Sequence, residues 1–525
     1  MKKIYIAALL CSVSLLLSSC TGNFEDMNTN PFGVTDEELG QDNNFIGMHF
    51  PTIQKSIYWN NSGNGWEFQI NQNLADDIWS GYMATPTNFA GGINTQTYFI
   101  IHGWVDYAWS QAYESVMANA IRVDEKCEQL GMDIYGHFSA INAILRVMCM
   151  ERICDNYGPI IYTQYGQSLT GGTYDSGQDA YRAFFKELTE ASNTLSQFAG
   201  KESASFSKFD LAYGGDLNKW LRLCNSLRLR LAMRVVKYDP QWAKTEGEAA
   251  INAPGGLMGK GDSFIISGGG WRHPLFTCSI EYNDIFISAD ILSILGGYND
   301  PRLEKFASPK NGKIVGVRTG LPDLDKTAEA YKQLISNINV TADNPATLMS
   351  AAETYFLLAE AALRGWNVSG SAQQYYEAGI DASFSDWGLS AGSYAQSEAV
   401  PADWVDPLVP DFNSPAVSRI SIKWDEAASN EEKLERIITQ KWIANFPEGK
   451  NAWAEFRRTG YPRLFPVLKN DSQGEISTED RVRRLPFPTS EQSDNPAGYS
   501  QAVDLLGGPD TGATRVFWDV KTGNF

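Results

Sequence analysis

Residues 218–238 read NKWLRLCNSLRLRLAMRVVKY, and this stretch decides the fold class of the chain. Its apolar positions recur every three or four residues, at Trp220, Cys224, Leu227, Leu231 and Val235. Such spacing is that of an amphipathic helix with one face turned toward a core. The basic residues fall mostly off this stripe, at Arg222, Arg228, Arg230, Arg234 and Lys237. The stretch therefore predicts a long core-facing helix.

The same period predicts further helices at 103–130, 135–155, 178–199, 349–364, 371–385 and 428–446. Two of them follow the large and small residue order of a tetratricopeptide hairpin, with Tyr355, Leu358, Ala359, then Ala372, Tyr376 and Gly379. A chance helical hairpin would explain the same residues. The sequence thus predicts a mainly α protein: a tetratricopeptide-like helical-repeat scaffold with a large loop-rich irregular region and little β structure.

Four stretches combine Gly, Asn, Ser and aromatic residues without a helical period, at 59–68, 85–98, 267–284 and 386–427. Long loops in a compact protein are usually functional or disordered, and abundant aromatics favour function. The chain holds 15 Trp, 23 Tyr and 26 Phe residues. Sugars present apolar faces flanked by hydroxyls, so a sugar site needs flat rings with hydrogen-bonding groups at their edges.

The loops supply both kinds of group. The predicted ring platforms are Trp59, Trp66, Phe89, Trp271 and Tyr282, and the predicted hydrogen-bonding residues are Asn61, Asn88, Arg272 and Asn283. The alternative for any one ring is that it packs in the core or within its loop. Taken together, the residues predict that one cluster of loops is a ligand platform.

The N-terminus carries an export signal. Lys2 and Lys3 precede an apolar run too short to span a bilayer, and Leu17-Ser18-Ser19-Cys20 resembles the lipobox of bacterial lipoproteins. We therefore predict a signal peptide at 1–19, a lipidated flexible tether at 20–40 and one domain at 41–525. Lipidation of Cys20 would anchor the protein to the outer membrane, facing the cell exterior. An ordinary cleaved signal with an incidental cysteine is the alternative.

Composition and motifs argue against several classes of function. A formal net charge of −19 disfavours nucleic acid as a partner. After the export segment, the five remaining cysteines fall largely in apolar patterns and predict buried thiols. The four histidines show no metal-binding spacing, and no nucleophile elbow or nucleotide loop occurs. We therefore expect no enzyme, no metal and no cofactor; a structural Ca²⁺ has no ligand spacing to support it.

A set of short motifs occurs in a fixed order along the chain. They read NTNP (28–31), DNYGPI (155–160), WLR (220–222) with NSLRLR (225–230), YFLLAEA (355–361), QKW (440–442) with AWAEFRRTG (452–460), and RLPFP (484–488) with Glu491 and Asn495. Each is weak alone, but the ordered set behind a lipobox resembles the SusD/RagB family of outer-membrane nutrient-binding lipoproteins. The resemblance runs through nearly the whole mature sequence.

The resemblance implies a surface lipoprotein that binds an oligosaccharide or polysaccharide and delivers it to a SusC-like TonB-dependent outer-membrane transporter. It also implies that the motifs specify helix packing, so that Arg457 and Arg458 need carboxylate or carbonyl partners and Trp442 and Trp453 are buried. Family ligand residues vary with the glycan, so none is transferred here. A surface glycoside hydrolase with an unrecognised carboxylate pair and a peptide-capturing or structural lipoprotein remain alternatives.

Overall fold

The computed structural model describes residues 43–58, 64–168, 171–198, 200, 203–268, 270 and 272–525. Ile46–Phe525 forms one compact unit, and Met1–Phe45 is assigned to a separate one, of which residues 43–45 are described. The predicted signal peptide, the tether and Cys20 lie outside the described residues. No helix within the described ranges is long and apolar enough to cross a bilayer.

The protein is mainly helical, as the sequence predicts. The helices of eight residues or more are α1 Phe50–Ile57, α2 His102–Gln111, α3 Ala118–Leu130, α4 Met132–Tyr157, α5 Gly177–Phe198, α6 Leu217–Arg234, α7 Pro240–Ile251, α8 Leu324–Leu334, α9 Ala351–Leu363, α10 Ala372–Asp386, α11 Asn430–Asn445, α12 Gly449–Thr459 and α13 Pro496–Leu506. Turns of π-helix occur at Gln69–Asp77, Ala112–Met117, Phe276–Glu281 and Leu292–Gly296.

Short segments complete the secondary structure. Single helical turns lie at Asn44–Gly47, Gly65–Phe68, Phe89–Gly92, Thr95–Thr97, Ala204–Ser207, Ala289–Ile291, Leu303–Phe306, Tyr394–Gln396, Pro410–Phe412 and Thr489–Asp494. The strands are β1 Met83–Ala84, β2 Phe264–Ile266, β3 Phe286–Ile287 and β4 Ala346–Met349. β1 pairs with β3 and β2 with β4, both antiparallel, so each sheet has two strands.

The helices pack as neighbours along the chain. α4 packs on α3 and α5, α6 packs on α5 and α7, and α9 packs on both α10 and α11. The two helices of the hairpin, α9 and α10, approach each other closely at Gly379, where a Cβ atom would lie 2.8 Å from the ring of Phe356. The ring of Tyr376 lies beside that of Phe356, with centres 6.2 Å apart. The small residue at 379 therefore has the packing role that the tetratricopeptide pattern predicts.

Two local predictions need correction. The helix predicted over 218–238 ends at Arg234. Asp239 caps the next helix, α7, by accepting a hydrogen bond from the Trp242 amide, and the chain must turn between the two helices. The stretches predicted as irregular include the helical turns Gly65–Phe68 and Phe276–Glu281. Each of these short turns has only three buried positions, which is too few for a helical period to be detected.

The predicted apolar stripe of α6 is buried, but two of its arginines are buried as well. Arg230 and Arg234 lie off the stripe on faces of α6 that other helices cover. Arg230 binds Glu353 of α9 through two bonds, Nε to Oε1 at 2.9 Å and Nη2 to Oε2 at 2.6 Å. Arg234 Nε lies 3.0 Å from Asp155 Oδ2. The charges off the stripe therefore join helices to one another instead of facing solvent.

Arg230, Arg234 and Glu353 belong to a larger buried ion layer, which comprises Arg230, Arg234, Glu353, Glu360, Lys441, Glu455 and Arg458. Arg458 of α12 binds Glu360 of α9 through two nitrogens, each 2.7 Å from a carboxylate oxygen. Its Nη2 also lies 2.7 Å from Glu455 Oε2, and Lys441 Nζ lies 3.1 Å from the same oxygen. The layer thus ties together α6, α9, α11 and α12.

The charged state of the layer follows from this pairing. Burial opposes ionisation of Glu360, yet Arg458 and Arg364 hold the pKa of its carboxyl below the ordinary value. Burial likewise opposes ionisation of Glu455, whose pKa Arg458, Lys441 and Arg234 hold well below the ordinary value. Buried charges are tolerated when each has partners on several sides.

The packing roles predicted for the motif residues are confirmed. Arg457 Nη1 donates to the backbone carbonyls of Asp155 at 2.6 Å and Arg483 at 2.9 Å. Trp442 and Trp453 are buried. The five cysteines are free and buried, as predicted: Cys127, Cys149, Cys154, Cys224 and Cys278.

Candidate functional site

Parts of three stretches predicted as loops pack against one another near the surface. The thiol of Cys278 donates to the backbone carbonyl of Gly65, with sulfur and oxygen 3.5 Å apart. The hydroxyl of Thr87 donates to the carboxylate of Asp284 at 2.8 Å. The paired residues are 213 and 197 positions apart in sequence, so tertiary packing creates this surface.

Trp66 lies in this region with its side chain turned outward. It belongs to a short helical turn whose Gly65 and Phe68 are buried, whereas Trp66 is 46% exposed. Its ring centre lies 5.5 Å from that of Tyr107. Burial and a hydrogen bond to the Glu67 carboxylate raise the pKa of Tyr107 to about 12, so the phenol stays protonated. The two rings therefore form a neutral aromatic pair at the surface.

A second aromatic pair lies on the neighbouring loop. The rings of Phe89 and Trp104 meet edge to face, with centres 6.1 Å apart and planes at 88°. The Asn88 amide donates to the carboxylate of Asp325 on α8. Gly92 has a φ of 78°, and a Cβ there would come within 3.1 Å of Asn88 Oδ1, so this tight turn requires glycine.

Trp104 and Tyr107 were not among the residues predicted from the sequence. They lie three residues apart on α2, with Val105 and Ala108 buried between and beside them. Side chains three apart on a helix share a face. Their spacing is a signal that sequence reasoning could have used, because the buried positions of α2 occupy a different face.

Arg272 lies at the edge of the same region. Its guanidinium pairs with the carboxylate of Glu281 and lies 5.1 Å from the ring centre of Phe276. Thr277 Oγ1 donates to the other oxygen of Glu281 at 2.8 Å. The side chains of Arg272 and Glu281 are 43% and 42% exposed, so the ion pair presents donors and acceptors to solvent.

The adjacent turn displays Tyr282. This residue is 42% exposed, and burial of its base raises the pKa of the phenol. Asn283 has a left-handed φ of 53°, and its Oδ1 accepts from Asn337 Nδ2 at 3.1 Å. Asn283 therefore holds the turn that projects Tyr282.

We call this region the aromatic face, and it comprises Trp66, Phe89, Trp104, Tyr107 and Tyr282. Three residues predicted to bind ligand lie at its edges or support it, namely Asn88, Arg272 and Asn283. The remaining predicted residues, Trp59, Asn61 and Trp271, lie outside the described residues. Ring faces bordered by amide, guanidinium and carboxylate groups suit a ligand with apolar faces and many hydroxyls. The described chain contains no group of three or more His, Cys, Asp or Glu placed to hold a metal ion.

A sequence profile of the SusD-like family, described as Susd and RagB outer membrane lipoprotein, matches residues 26–519. Comparison with curated protein sequences gave no significant match.

Several solved structures share the whole fold. A chitin-binding SusD homolog from Flavobacterium johnsoniae is 44% identical, covering 91% of this chain and 100% of that one with a TM-score of 0.87. A SusD homolog from Bacteroides vulgatus is 36% identical, covering 94% and 100% with a TM-score of 0.86. One from Bacteroides uniformis is 35% identical, covering 91% and 99% with a TM-score of 0.84. The chain therefore belongs to the SusD-like family of carbohydrate-binding outer membrane lipoproteins.

Proposed function

We propose that this protein captures a glycan at the aromatic face. The observation that carries the proposal is that two aromatic pairs and the exposed Tyr282 lie on α2 and on loop stretches that contact one another. Rings bury the apolar faces of sugar units, while Arg272 and Glu281 offer a donor and an acceptor to hydroxyl groups at the edge. Most of these side chains are already held by neighbours, which lowers the entropy lost on binding.

The ligand class proposed first is an oligomer of N-acetylglucosamine. Support comes from the chitin-binding homolog, which is 44% identical over 91% of this chain. A β-linked chain of such units is extended and presents an apolar ring face at every residue. A surface with several separate rings suits an extended ligand better than a single deep pocket does.

The proposal includes a cellular role. Lipidation at Cys20 would hold the protein on the outer membrane, and a polar tether would let the folded unit face the cell exterior. From there the protein would pass its glycan to a SusC-like TonB-dependent transporter. Binding requires no catalysis, so we propose that the protein passes on the glycan without cleaving it.

The first experiment measures glycan binding by titration calorimetry on soluble protein comprising residues 21–525. The ligand panel is chitohexaose, cellohexaose and maltohexaose. We expect chitohexaose to bind and Trp66→Ala and Tyr282→Ala each to weaken binding at least tenfold. The matched control is Tyr238→Ala, because Tyr238 is 38% exposed and lies between α6 and α7. No binding of any glycan, or equal binding by all four proteins, would contradict the proposed site.

Catalysis and delivery need separate measurements. Incubating the protein with chitohexaose and quantifying new reducing ends tests for cleavage, and sustained turnover would favour the hydrolase alternative.

Delivery is tested by affinity purification of the lipidated protein from detergent-solubilised outer membranes of its own host. We expect a TonB-dependent transporter in stoichiometric amount, and its absence would contradict the transport role while leaving glycan binding standing.

A further inference from the structure

A cavity separate from the aromatic face is lined by residues that do not belong to that face. It has a volume of about 490 Å³ and is lined by the C-terminal end of α10, the segment before β4 and the residues after α11. Pockets that hold small ligands measure about 300–1,000 Å³. The cavity therefore has room for a compact ligand of one or two sugar units.

One side of the cavity is aromatic. Trp387, at the end of α10, and Phe446, after α11, both line it. Phe306 lies between them: its ring centre is 4.9 Å from that of Trp387 and 4.1 Å from that of Phe446, with the latter pair stacked at 13°. Phe306 and Phe446 are buried, whereas Trp387 is only half-buried. The stack thus fixes the indole ring at the cavity wall.

The rest of the lining mixes apolar and neutral polar groups. Val340 supplies aliphatic surface, with the buried Leu275 and Ile338 behind it, and Asn339 and Asn344 supply amides. This part of the wall can therefore bury a methyl group and pair with an amide within the same cavity.

Three titratable groups complete the lining: His273, Lys305 and Asp386. His273 is buried; burial lowers its pKa to about 3, and its Nδ1 accepts from the Leu275 amide at 3.2 Å, so the imidazole is neutral. Ser263 Oγ donates to Asp386 Oδ2 at 3.2 Å and orients that carboxylate at the wall. Asp386 is then placed to accept from a hydroxyl group.

We propose that this cavity is a second sugar site, which takes one or two acetamido sugar residues. The pyranose face packs on Trp387, the acetamido methyl meets the aliphatic wall, and the acetamido amide pairs with the asparagines. An unsubstituted hexose would set a hydroxyl against Val340, where the hydroxyl would lose hydrogen bonds to water without replacement. The inference rests on the proposed function for the sugar class of its ligand, but not for its location.

The experiment titrates N,N′-diacetylchitobiose and cellobiose into soluble wild-type protein and two pairs of variants. Val340→Trp fills the cavity, and its control Val405→Trp adds the same bulk at a position that is 70% exposed elsewhere on the surface. Trp387→Ala removes the ring platform of the cavity, and Trp66→Ala removes that of the aromatic face. Thermal unfolding of each variant shows whether it retains the fold.

We expect the disaccharide to bind Trp66→Ala and Val405→Trp within twofold of wild-type affinity for this site. We expect at least tenfold weaker binding to folded Val340→Trp and Trp387→Ala, and at least tenfold weaker binding of cellobiose to wild type. Equal binding by Val340→Trp and Val405→Trp would overturn the location, and equal affinity for cellobiose would overturn the acetamido class. Loss of all disaccharide binding in Trp66→Ala would overturn the second site while supporting the aromatic face.

Discussion

The buried ion layer and the aromatic face use the same residue types for opposite purposes. Arg458 is fully buried and binds both Glu360 and Glu455, whereas Arg272 is half-exposed and pairs with Glu281. Inside the protein, each charge is enclosed by several helices, so its partners decide whether the fold is stable. At the surface, water replaces a lost partner, so the same type of side chain can exchange its partner for a ligand at little cost to the fold.

The comparison explains why the family motifs predict the fold but not the ligand. YFLLAEA and AWAEFRRTG contribute Glu360, Glu455 and Arg458 to the ion layer. The aromatic face draws instead on turns around Trp66, Phe89 and Tyr282, which lie outside all of the family motifs. The ligand site can therefore change without disturbing the contacts that hold the helices together.

The largest expected effect comes from breaking the ion layer at its centre. Arg458→Met would leave Glu360 and Glu455 with fewer partners in a buried site, and removing one partner of a buried ion pair costs about 3–5 kcal/mol. We expect the free energy of unfolding in urea to fall by about that amount. The matched control is Arg419→Met, because Arg419 pairs with Asp403 at 2.6 Å with both side chains more than half exposed. Equal stability of the two variants would refute the structural role of the layer.

Acid should weaken the layer next. The pKa values of Glu353, Glu360 and Glu455 lie below the ordinary value of 4.5 in the folded protein. A carboxyl with a depressed folded pKa stabilises the fold fully above its unfolded pKa, and that contribution is lost as pH falls toward the folded value. We expect the free energy of unfolding to drop below pH 4.5, by up to about 1.4 kcal/mol per pH unit for each carboxyl.

Urea titrations at pH 7, 5, 4 and 3 test this dependence. Glu360→Gln removes one titrating group, so its free energy of unfolding should change less steeply below pH 4.5 than that of Glu281→Gln, a surface control. Parallel curves for the two variants would show that acid acts elsewhere.

Trp453 and Trp66 provide the next test, because the first is buried and the second is exposed. Trp453→Ala should lower the free energy of unfolding by about 3–5 kcal/mol, because it empties a buried site. Trp66→Ala should change it by less than about 0.5 kcal/mol, because the ring is at the surface. The same variant should weaken glycan binding at least tenfold, which equals about 1.4 kcal/mol. A destabilised Trp66→Ala protein would mean that this ring belongs to the fold.

The sequence predicts the helices whose apolar period is long, and it misses those whose buried faces are narrow. α6 is recognisable from five buried stripe positions, although its end at Arg234 depends on the cap of the next helix. α8 was not predicted, since within it only Leu324 and Tyr331 are buried. The burial of Arg230 was also missed, because its carboxylate partner lies 123 residues away in sequence.

For the candidate site, the sequence identifies which residue types the loops carry, but not which loops lie close together. Glycine, asparagine and aromatic residues mark the loops, and the turns around Trp66 and Tyr282 do carry exposed rings. Their proximity depends on contacts such as that between Cys278 and Gly65, which no local pattern encodes. Trp104 and Tyr107 were missed because a helical spacing was assigned to the scaffold alone.

The smallest expected effect on stability is at Arg272. A substitution there tests whether exposed charged side chains can bind a ligand. Arg272→Met removes an ion pair whose members are both nearly half exposed, so the free energy of unfolding should change by less than about 0.5 kcal/mol. Met retains an apolar chain to lie against Phe276. If Arg272 donates to a glycan, chitohexaose binding should weaken several-fold, while Arg419→Met binds like wild type. A loss of stability comparable to that of Arg458→Met would instead place Arg272 among the residues that hold the fold, because only a pair that water cannot replace costs that much to break.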